Sequence, residues 1–153
     1  MAILGILSDT HGLLRPEALE LLSGVDLIIH AGDIGAQKVI DQLADIAPVL
    51  AIRGNVDKGE WSEAYPDDRH VEVEGKQIYV LHNRRDLNFN PESKGLDVVI
   101  SGHSHKPLIE TIDGVLYVNP GSAGPRRFTL PIALAKLEIV GDSVAAQIIE
   151  IRI

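Results

Sequence analysis

The sequence predicts an α/β protein with a single domain over residues 1–153, and three features of the chain support this prediction. In the first half, apolar strand-like runs alternate with segments of helical spacing, which is typical of parallel βαβ units. In the second half, strand-like runs follow one another across turn signals, which is typical of hairpins. Polar residues close most of the apolar runs. Parallel units followed by hairpins predict two sheets packed face to face with helices on the outside.

The first half contains three predicted strands and two predicted helices. The apolar runs that predict strands are Met1–Leu7, Leu27–His30 and Val49–Ile52. A helix is predicted over 15–22, where Pro16 suits the first turn. A second helix is predicted over 37–44, because apolar residues recur there at helical spacing.

The second half is organised by turns. Val71–Val73 and Gln77–Leu81 flank the turn signal Glu74-Gly75-Lys76, and further hairpin turns are predicted at Asp113-Gly114 and Gly141-Asp142. Between the first two of these turns lies Val98–Ile100, a short apolar run of high β propensity. Such a run predicts a strand that is buried on both faces.

Composition narrows the classes of function. The formal charge of −8 opposes binding to a nucleic-acid polymer. Only 4% of the residues are aromatic, so few side chains are available for nucleic-acid bases to stack on. The chain has no cysteine, so a metal site must use His, Asp, Glu or Asn. The amino terminus lacks a signal-peptide pattern, and its apolar run is too short to span a membrane. We therefore expect a cytoplasmic protein without membrane contact, and periodicity leaves open whether it forms a homo-oligomer.

Residues that commonly bind metals follow five of the predicted strands. They are Asp9, His11, Asp33, Asn55, His82, His103 and His105. Asp and Asn at strand ends often make turns, so any one of them alone has an ordinary explanation. Seven together, four of them histidines, are hard to explain as turn residues. Residues i and i+2 of an extended backbone share a side, so His103 and His105 can point into one site.

This set suits two divalent ions, which at a separation of about 3.5–4 Å need a bridging carboxylate with nitrogen or oxygen ligands on either flank. Asp33, alone on its loop, is the predicted bridge. The remaining ligands divide into Asp9, His11 and His105 for one ion and Asn55, His82 and His103 for the other. We expect Mn²⁺, with Fe, Ni, Zn or Mg as alternatives, because these ligands accept several ions.

The same residues resemble a known family. The sequence is similar to the calcineurin-like metallophosphoesterase superfamily, and to its small YfcE-type phosphodiesterase branch, in Ser8-Asp9-Thr10-His11, Ala31-Gly32-Asp33, Gly54-Asn55-Val56-Asp57, His82 and Gly102-His103-Ser104-His105. The loop Asn119-Pro120-Gly121-Ser122 extends the resemblance. This resemblance implies an α/β/β/α sandwich of two mixed sheets flanked by helices, a di-metal centre on the ligands above, and hydrolysis of phosphoesters.

The expected activity is hydrolysis of a small phosphodiester by in-line attack of a hydroxide that bridges the two metals, with Asp33, Asn55 and His82 as the catalytic residues. A phosphomonoesterase is the nearest alternative. A second alternative is a protein-binding scaffold, because the retromer subunit that shares this fold is regarded as an interaction module with a degraded metal site. In this chain every ligand position holds a competent residue, which favours the enzyme.

One segment departs from the family pattern, and it bears on the substrate. Relatives of this branch usually have His-Gly-His where this chain has His82-Asn83-Arg84. Arg84 would bring a permanent cation to the place of the second histidine, and Arg126 would add positive charge from the loop after Ser122. We therefore expect Arg84 and Arg126 to contact a substrate with charge beyond the scissile phosphate.

Several other polar residues have less direct expected roles. Asn119, Gly121 and Ser122 are candidates for shaping the substrate pocket. His30 is expected to lie in the core or to orient a ligand, and Asp57 either orients a ligand or makes a turn. His70 is expected at the surface.

Overall fold

The computed structural model describes residues 1–153 as two mixed β-sheets of five strands each, packed against each other. The strands are β1 (Ala2–Leu7), β2 (Leu27–His30), β3 (Val49–Ala51), β4 (Asp68–Val73), β5 (Lys76–Leu81), β6 (Val98–Ile100), β7 (Leu108–Ile112), β8 (Val115–Asn119), β9 (Ala133–Val140) and β10 (Ser143–Glu150). The α-helices are α1 (Pro16–Leu21) and α2 (Gln37–Ala44), and 3₁₀ turns occur at Glu60–Ala64 and Arg84–Asp86.

Each sheet combines a parallel centre with antiparallel hairpins. The first sheet has the order β10-β9-β1-β2-β3, in which β1, β2 and β3 are parallel. The second has the order β4-β5-β6-β8-β7, in which β5, β6 and β8 are parallel. The carboxyl ends of neighbouring parallel strands meet at one edge of a sheet, so the residues after β1, β2 and β3 are brought together, as are those after β5 and β6.

One of two apolar cores of similar size lies between the sheets, and the other lies under the helices. Alternate residues point inward, such as Leu4 and Ile6 from β1 and Ile78 and Val80 from β5, and none of the four is more than 2% exposed. A side chain of this size stabilises the fold by roughly 1.5–3 kcal/mol when it is fully buried. The inward alternation therefore fixes the register of strands whose ends carry the polar residues.

Both α-helices cover the outer face of the first sheet. In α2, Val39, Ile40 and Leu43 are buried against that face, as the helical spacing predicts. The outer face of the second sheet is covered instead by the segment between β5 and β6, in which Leu87 and Phe89 pack near Tyr117. The predicted pair of packed mixed sheets is confirmed, with its helices on one side and a single 3₁₀ turn on the other.

Several element boundaries differ from the sequence prediction, by one to three residues. Helix α1 begins at Pro16 and ends at Leu21, inside the predicted range. Strand β4 begins at Asp68, three residues before the predicted Val71, because it is an edge strand whose first residues are polar and exposed. His70 lies in this exposed part and pairs with Gln77 on β5, which agrees with the surface position expected for it. The two α-helices have 6 and 8 residues, which is too short to span a bilayer.

Candidate metal centre

The predicted metal ligands lie in loops at the ends of strands from both sheets. The loops after β1 and β2 supply Asp9, His11 and Asp33, and the first residue after β5 is His82. Backbone hydrogen bonds join the two loops of the first sheet, because the amide of Asp9 donates to Gly32 and that of His11 donates to Asp33. The loops are thus held as a pair before any ligand binds.

Most of these residues have an unusual backbone conformation. Five of the seven predicted ligands have positive φ: Asp9 (57°), His11 (48°), Asp33 (54°), His103 (70°) and His105 (62°). Residues other than glycine rarely adopt this region, and clusters of such residues are typical of functional sites. The folded structure thus maintains several locally unfavourable conformations in one place, and each of them lets a loop turn sharply at the end of its strand.

Asp9 lies at the centre of the cluster. Its Oδ1 atom is 3.4 Å from His105 Nε2, 3.8 Å from His82 Nε2 and 3.9 Å from His11 Nε2. Its side chain is fully buried, and Oδ1 accepts no hydrogen bond. One buried carboxylate oxygen therefore faces three imidazole nitrogens.

The second oxygen of Asp9 fixes the orientation of the carboxylate. Oδ2 accepts hydrogen bonds from the Ser8 hydroxyl at 2.6 Å and from the His103 amide at 3.1 Å. Ser8 directly follows β1 of the first sheet, and His103 belongs to the loop after β6 of the second. These bonds leave Oδ1 as the atom that is free to bind a cation.

Asp33 forms the second carboxylate of the cluster. Its Oδ2 atom is 3.1 Å from His82 Nε2 and 3.8 Å from His11 Nε2, while Oδ1 accepts the amide of Val56 at 3.1 Å. Burial opposes ionisation of Asp33, but His82, the Val56 amide and His11 outweigh it and hold the pKa of Asp33 well below its usual value. Asp33 is therefore ionised and faces histidines from both groups of ligands.

The hydrogen bond on the far side of His82 defines which nitrogen faces the carboxylates. Its Nδ1 atom lies 2.7 Å from the carbonyl of Ala31, to which it donates. Burial lowers the pKa of His82, but the contacts with Asp33 and the Ala31 carbonyl outweigh burial and raise it. With Nδ1 bonded to the Ala31 carbonyl, Nε2 is the atom that faces the carboxylates and the one that would bind a metal ion, as in many metal-binding histidines.

Buried atoms without hydrogen-bond partners show that this cluster fits a cation. Asp9 Oδ1, His11 Nε2 and His82 Nε2 are all buried and unpaired. Buried polar atoms normally have a partner, because an unpaired one costs about 1–3 kcal/mol. The ligand atoms form two overlapping groups, each lying within 4.8 Å: Asp9 with His11 and His105, and Asp9 with Asp33 and His82. A divalent metal ion would satisfy these atoms.

Asn55 and His103 lie at the edge of this cluster. The side chain of Asn55 is exposed and lines a cleft together with His82. The ring of His103 is half-buried, and its centroid is 5.3 Å from that of His82. Neither side chain hydrogen-bonds to Asp9 or Asp33, although the backbone amide of His103 does bond to Asp9, and the role of both residues as ligands stays a prediction.

His30 supports two ligand loops from within the core. Its Nδ1 accepts the amide of Gly32 at 3.1 Å, so the neutral ring donates from Nε2 to Thr10 Oγ1 at 3.0 Å. Thr10 then donates to the carbonyl of Ile34 at 2.8 Å. Burial lowers the pKa of His30 to about 4, which keeps it neutral at physiological pH. His30 therefore positions the residues beside Asp9 and Asp33.

Asp57 links the loop after β2 to the loop after β3. Its Oδ2 accepts the amides of Ile34 and Gly54, and its Oδ1 accepts the amide of Gly35, all at 2.9 Å. The carboxylate is only 4% exposed. The sequence is compatible with either an orienting or a turn role for Asp57, and the structure gives it both, because it closes its own turn and holds the Asp33 loop.

The loop after β8 supports the centre from the other side. Asn119 donates from Nδ2 to the Gly102 carbonyl at 3.0 Å and accepts the Gly121 amide at 2.9 Å. Ser122 is buried and donates to the carbonyl of Asp9 at 3.0 Å. These contacts give Asn119 and Ser122 a bracing role, while substrate contact by Asn119, Gly121 and Ser122 stays a prediction.

The two arginines that were expected near the substrate lie in different places. Arg84 lines a cleft that also contains His103, and its guanidinium pairs with Glu110. Arg126 is exposed and lines a separate groove beside Ile151 at the carboxyl terminus. The structure therefore brings Arg84, but not Arg126, to the cleft beside His103. The Glu110 partner was not apparent in the sequence, because the two residues are 26 positions apart.

Two packed mixed sheets thus gather carboxylates and histidines from their strand ends into one buried cluster that fits a metal ion. Residues 1–142 match the sequence model of a protein family, the calcineurin-like phosphoesterase superfamily domain. The chain belongs to this superfamily. A probable metallophosphoesterase of Methanothermobacter thermautotrophicus is 33% identical, over 96% of this chain and 91% of that protein.

Solved structures show the same fold. A structure described as a novel archaeal phosphodiesterase superposes with a TM-score of 0.79 at 28% identity, covering 96% of this chain and 99% of that one. The Vps29 protein of Chaetomium thermophilum also has a TM-score of 0.79, at 18% identity and with 97% of both chains covered. The second likeness is one of fold alone.

Proposed function

We propose that this protein is a metal-dependent phosphodiesterase that binds two divalent ions and hydrolyses a small phosphoester. The observation that carries the proposal is that three unpaired buried atoms, Asp9 Oδ1, His11 Nε2 and His82 Nε2, belong to two adjoining ligand groups that share Asp9. A purely structural cluster would have satisfied these atoms within the protein. The 28% identical archaeal phosphodiesterase supports a diester as the substrate.

Asp9, His11, Asp33 and His105 would hold one ion, and Asp33, Asn55, His82 and His103 the other. When bound, two such ions lower the pKa of a shared water and stabilise the charge that develops on phosphoryl oxygens. Mn²⁺ is the proposed ion, because the ligands are oxygen and imidazole nitrogen without a thiolate.

The remaining residues act by holding these ligands in place. Ser8 and the His103 amide orient the carboxylate of Asp9, and the Ala31 carbonyl holds the Nδ1 proton of His82. Such supporting contacts preserve the geometry of a site during the reaction and are commonly worth about 10–100-fold in metal affinity or activity. The chain thus supplies a rigid cluster whose lone pairs are already directed inward.

A protein-binding scaffold is the alternative that the fold itself raises, since several of the similar structures are Vps29 proteins. The residues at the site distinguish an enzyme from a scaffold. Each predicted ligand position here holds Asp, Asn or His, and the buried carboxylates are oriented by neighbouring donors. We therefore favour the enzyme.

Purified protein loaded with Mn²⁺ should hydrolyse bis(4-nitrophenyl) phosphate faster than 4-nitrophenyl phosphate. The activity should disappear on treatment with a chelator and return when Mn²⁺ is restored, and elemental analysis should find two metal ions per chain. Full occupancy by two metals without turnover of any diester or monoester would favour the scaffold. A faster monoester reaction would instead identify a phosphomonoesterase.

A further inference from the structure

Two clefts of opposite charge lie on either side of Asn83, which lines both. We call the first the basic cleft; it is lined by Asn83, Arg84, Arg85, His103, Lys106 and Tyr117, among others, and has a volume of about 630 Å³. We call the second the acidic cleft; its lining includes Asn55, Asp67, Asp68, His82, Asn83 and Asp86. Each cleft thus contains predicted metal ligands.

The basic cleft differs in charge from the protein as a whole. Three cationic side chains line it: Arg84, which pairs with Glu110 outside the lining, and Arg85 and Lys106, which form no ion pair. The chain carries a net charge of −8. The acidic cleft holds three carboxylates, and its Arg53 is already paired with Asp67. A ligand at the metal centre therefore experiences positive potential on the His103 side and negative potential on the Asn55 side.

Arg84 is held in a fixed orientation within the basic cleft. Its guanidinium carbon lies 4.1 Å from the centroid of the Tyr117 ring, and one terminal nitrogen donates to Glu110. Its side chain is 35% exposed. A guanidinium has five N–H donors in a planar fork that matches the oxygens of a phosphate, and the contact with Glu110 leaves most of them free.

The basic cleft adjoins the metal centre through His103. This residue lines the cleft with its half-buried side chain, while its amide donates to Asp9 Oδ2 at 3.1 Å. A substrate whose scissile phosphate lies at the centre can therefore extend past His103 toward Arg84 and Lys106.

We propose that the basic cleft binds a second phosphate of the substrate, so that the preferred substrate is a phosphodiester with an additional phosphate on one of its alcohol arms. This inference rests on the proposed function and names the substrate class of the same site. The acidic cleft would repel a second phosphate, and it thereby fixes the direction in which the substrate binds.

The test compares two substrates that differ only in the second phosphate: the 4-nitrophenyl ester of thymidine 5′-phosphate, and the same ester phosphorylated at the 3′ position. The measured quantity is the ratio of their kcat/KM values. The native protein should prefer the 3′-phosphorylated ester, and Arg84→Ala or Lys106→Ala should lower the ratio about three- to tenfold, a modest effect because both groups are partly solvated. Lys38→Ala, which removes a cation from the exposed face of α2, should leave the ratio unchanged.

A second variant gives an effect of opposite sign. Glu110→Gln keeps the shape of the side chain but removes the charge that competes for Arg84, so the ratio should rise about two- to fivefold. This variant also tests the inference if Arg84→Ala fails to fold. A ratio near one in the native protein, or one that neither Arg84→Ala nor Glu110→Gln changes, would overturn the inference.

Binding separates this inference from the proposed function. Calorimetric titration with thymidine 3′,5′-bisphosphate and with thymidine 5′-monophosphate should show tighter binding of the bisphosphate, and Arg84→Ala should reduce that difference about three- to tenfold. If the protein hydrolyses neither ester, the proposed function is wrong, and the titration still decides whether the cleft selects a second phosphate. Equal affinities for the two nucleotides would contradict it.

Discussion

Asp9 Oδ1 lies 3.8 Å from His82 Nε2, although the two residues come from different sheets. Asp9 follows β1 of the first sheet, and His82 follows β5 of the second. The predicted metal centre therefore closes one end of the sandwich, where a bound ion would add a link between the two sheets.

The first prediction is that metal stabilises the fold through this link. A ligand that binds only the folded state at about 100 times its dissociation constant adds about 2.7 kcal/mol. We expect a gain of this order with Mn²⁺ over the chelated protein, measured as the free energy of unfolding in urea. His82→Ala should reduce the gain, whereas His70→Ala, at the exposed edge, should keep it. Identical unfolding curves with Mn²⁺ and with chelator would contradict a site between the sheets.

The second prediction concerns Asp33, whose carboxylate faces both His82 and His11. Asp33→Asn removes the charge that we predict both ions share, so metal content and hydrolytic activity should fall together. Elemental analysis and the diester assay check this, with Asp142→Asn in the last hairpin turn as the control. Two retained metals with native turnover in Asp33→Asn would exclude Asp33 as the bridge.

The third prediction concerns Asp57, which accepts three backbone amides from two loops. Asp57→Ala would leave these three donors, of which the Ile34 amide is buried, without their acceptor, at an expected cost of about 2–4 kcal/mol in the free energy of unfolding. Chemical denaturation of the chelated protein measures the loss, and Asp41→Ala on the exposed side of α2 should cost much less. A loss below about 1 kcal/mol would mean that water replaces the carboxylate.

The strands of this fold could be predicted well from the sequence, because each is an apolar run that ends at turn residues or a glycine. The sequence also placed ligand-type residues at strand ends, and the structure gathers Asp9, His11, Asp33, His82 and His105 into one cluster. The covering of the second sheet was harder to predict, because the segment after His82 packs through scattered residues such as Phe89 that have no helical period.

The supporting contacts could not be predicted from the sequence for a different reason. The bonds that His30 donates to Thr10 and that Asp57 accepts from Ile34 join residues 20 and 23 positions apart, so they depend on how two loops meet. The charge difference between the clefts could not be predicted for the same reason, since Arg84 and Lys106 are distant in sequence and come together only at the end of the second sheet.

The fourth prediction is a pH dependence that arises from His30. Burial lowers its pKa from about 6.5 to about 4, so between these values the unfolded chain binds a proton that the folded chain does not. The contribution of His30 to the free energy of unfolding is fully present above pH 6.5 and is lost as the pH falls toward 4. The loss over the whole interval is roughly 3 kcal/mol. Urea unfolding of the chelated protein at pH 7 and pH 4.5 should show a smaller loss in His30→Gln than in the native protein. Equal losses would show that His30 is not the group responsible.

The last prediction tests how closely the two sheets approach at the metal centre. A Cβ atom at Gly102 would lie 2.0 Å from Ser8 Oγ and 2.8 Å from Asp9 Oδ2, which is far closer than such atoms can approach. Gly102→Ala should therefore displace the Asp9 carboxylate and weaken metal binding at least tenfold, measured by titration with Mn²⁺.

Ser8→Ala provides the comparison, because it removes the nearer of the two obstructing oxygens along with one hydrogen bond to Asp9. If the steric explanation is correct, Gly102→Ala should cost less metal affinity in the Ser8→Ala background than in the native protein, so the double variant should bind more tightly than additivity predicts. Strict additivity of the two losses would show that Gly102 acts on the metal centre by some route other than its contact with Ser8.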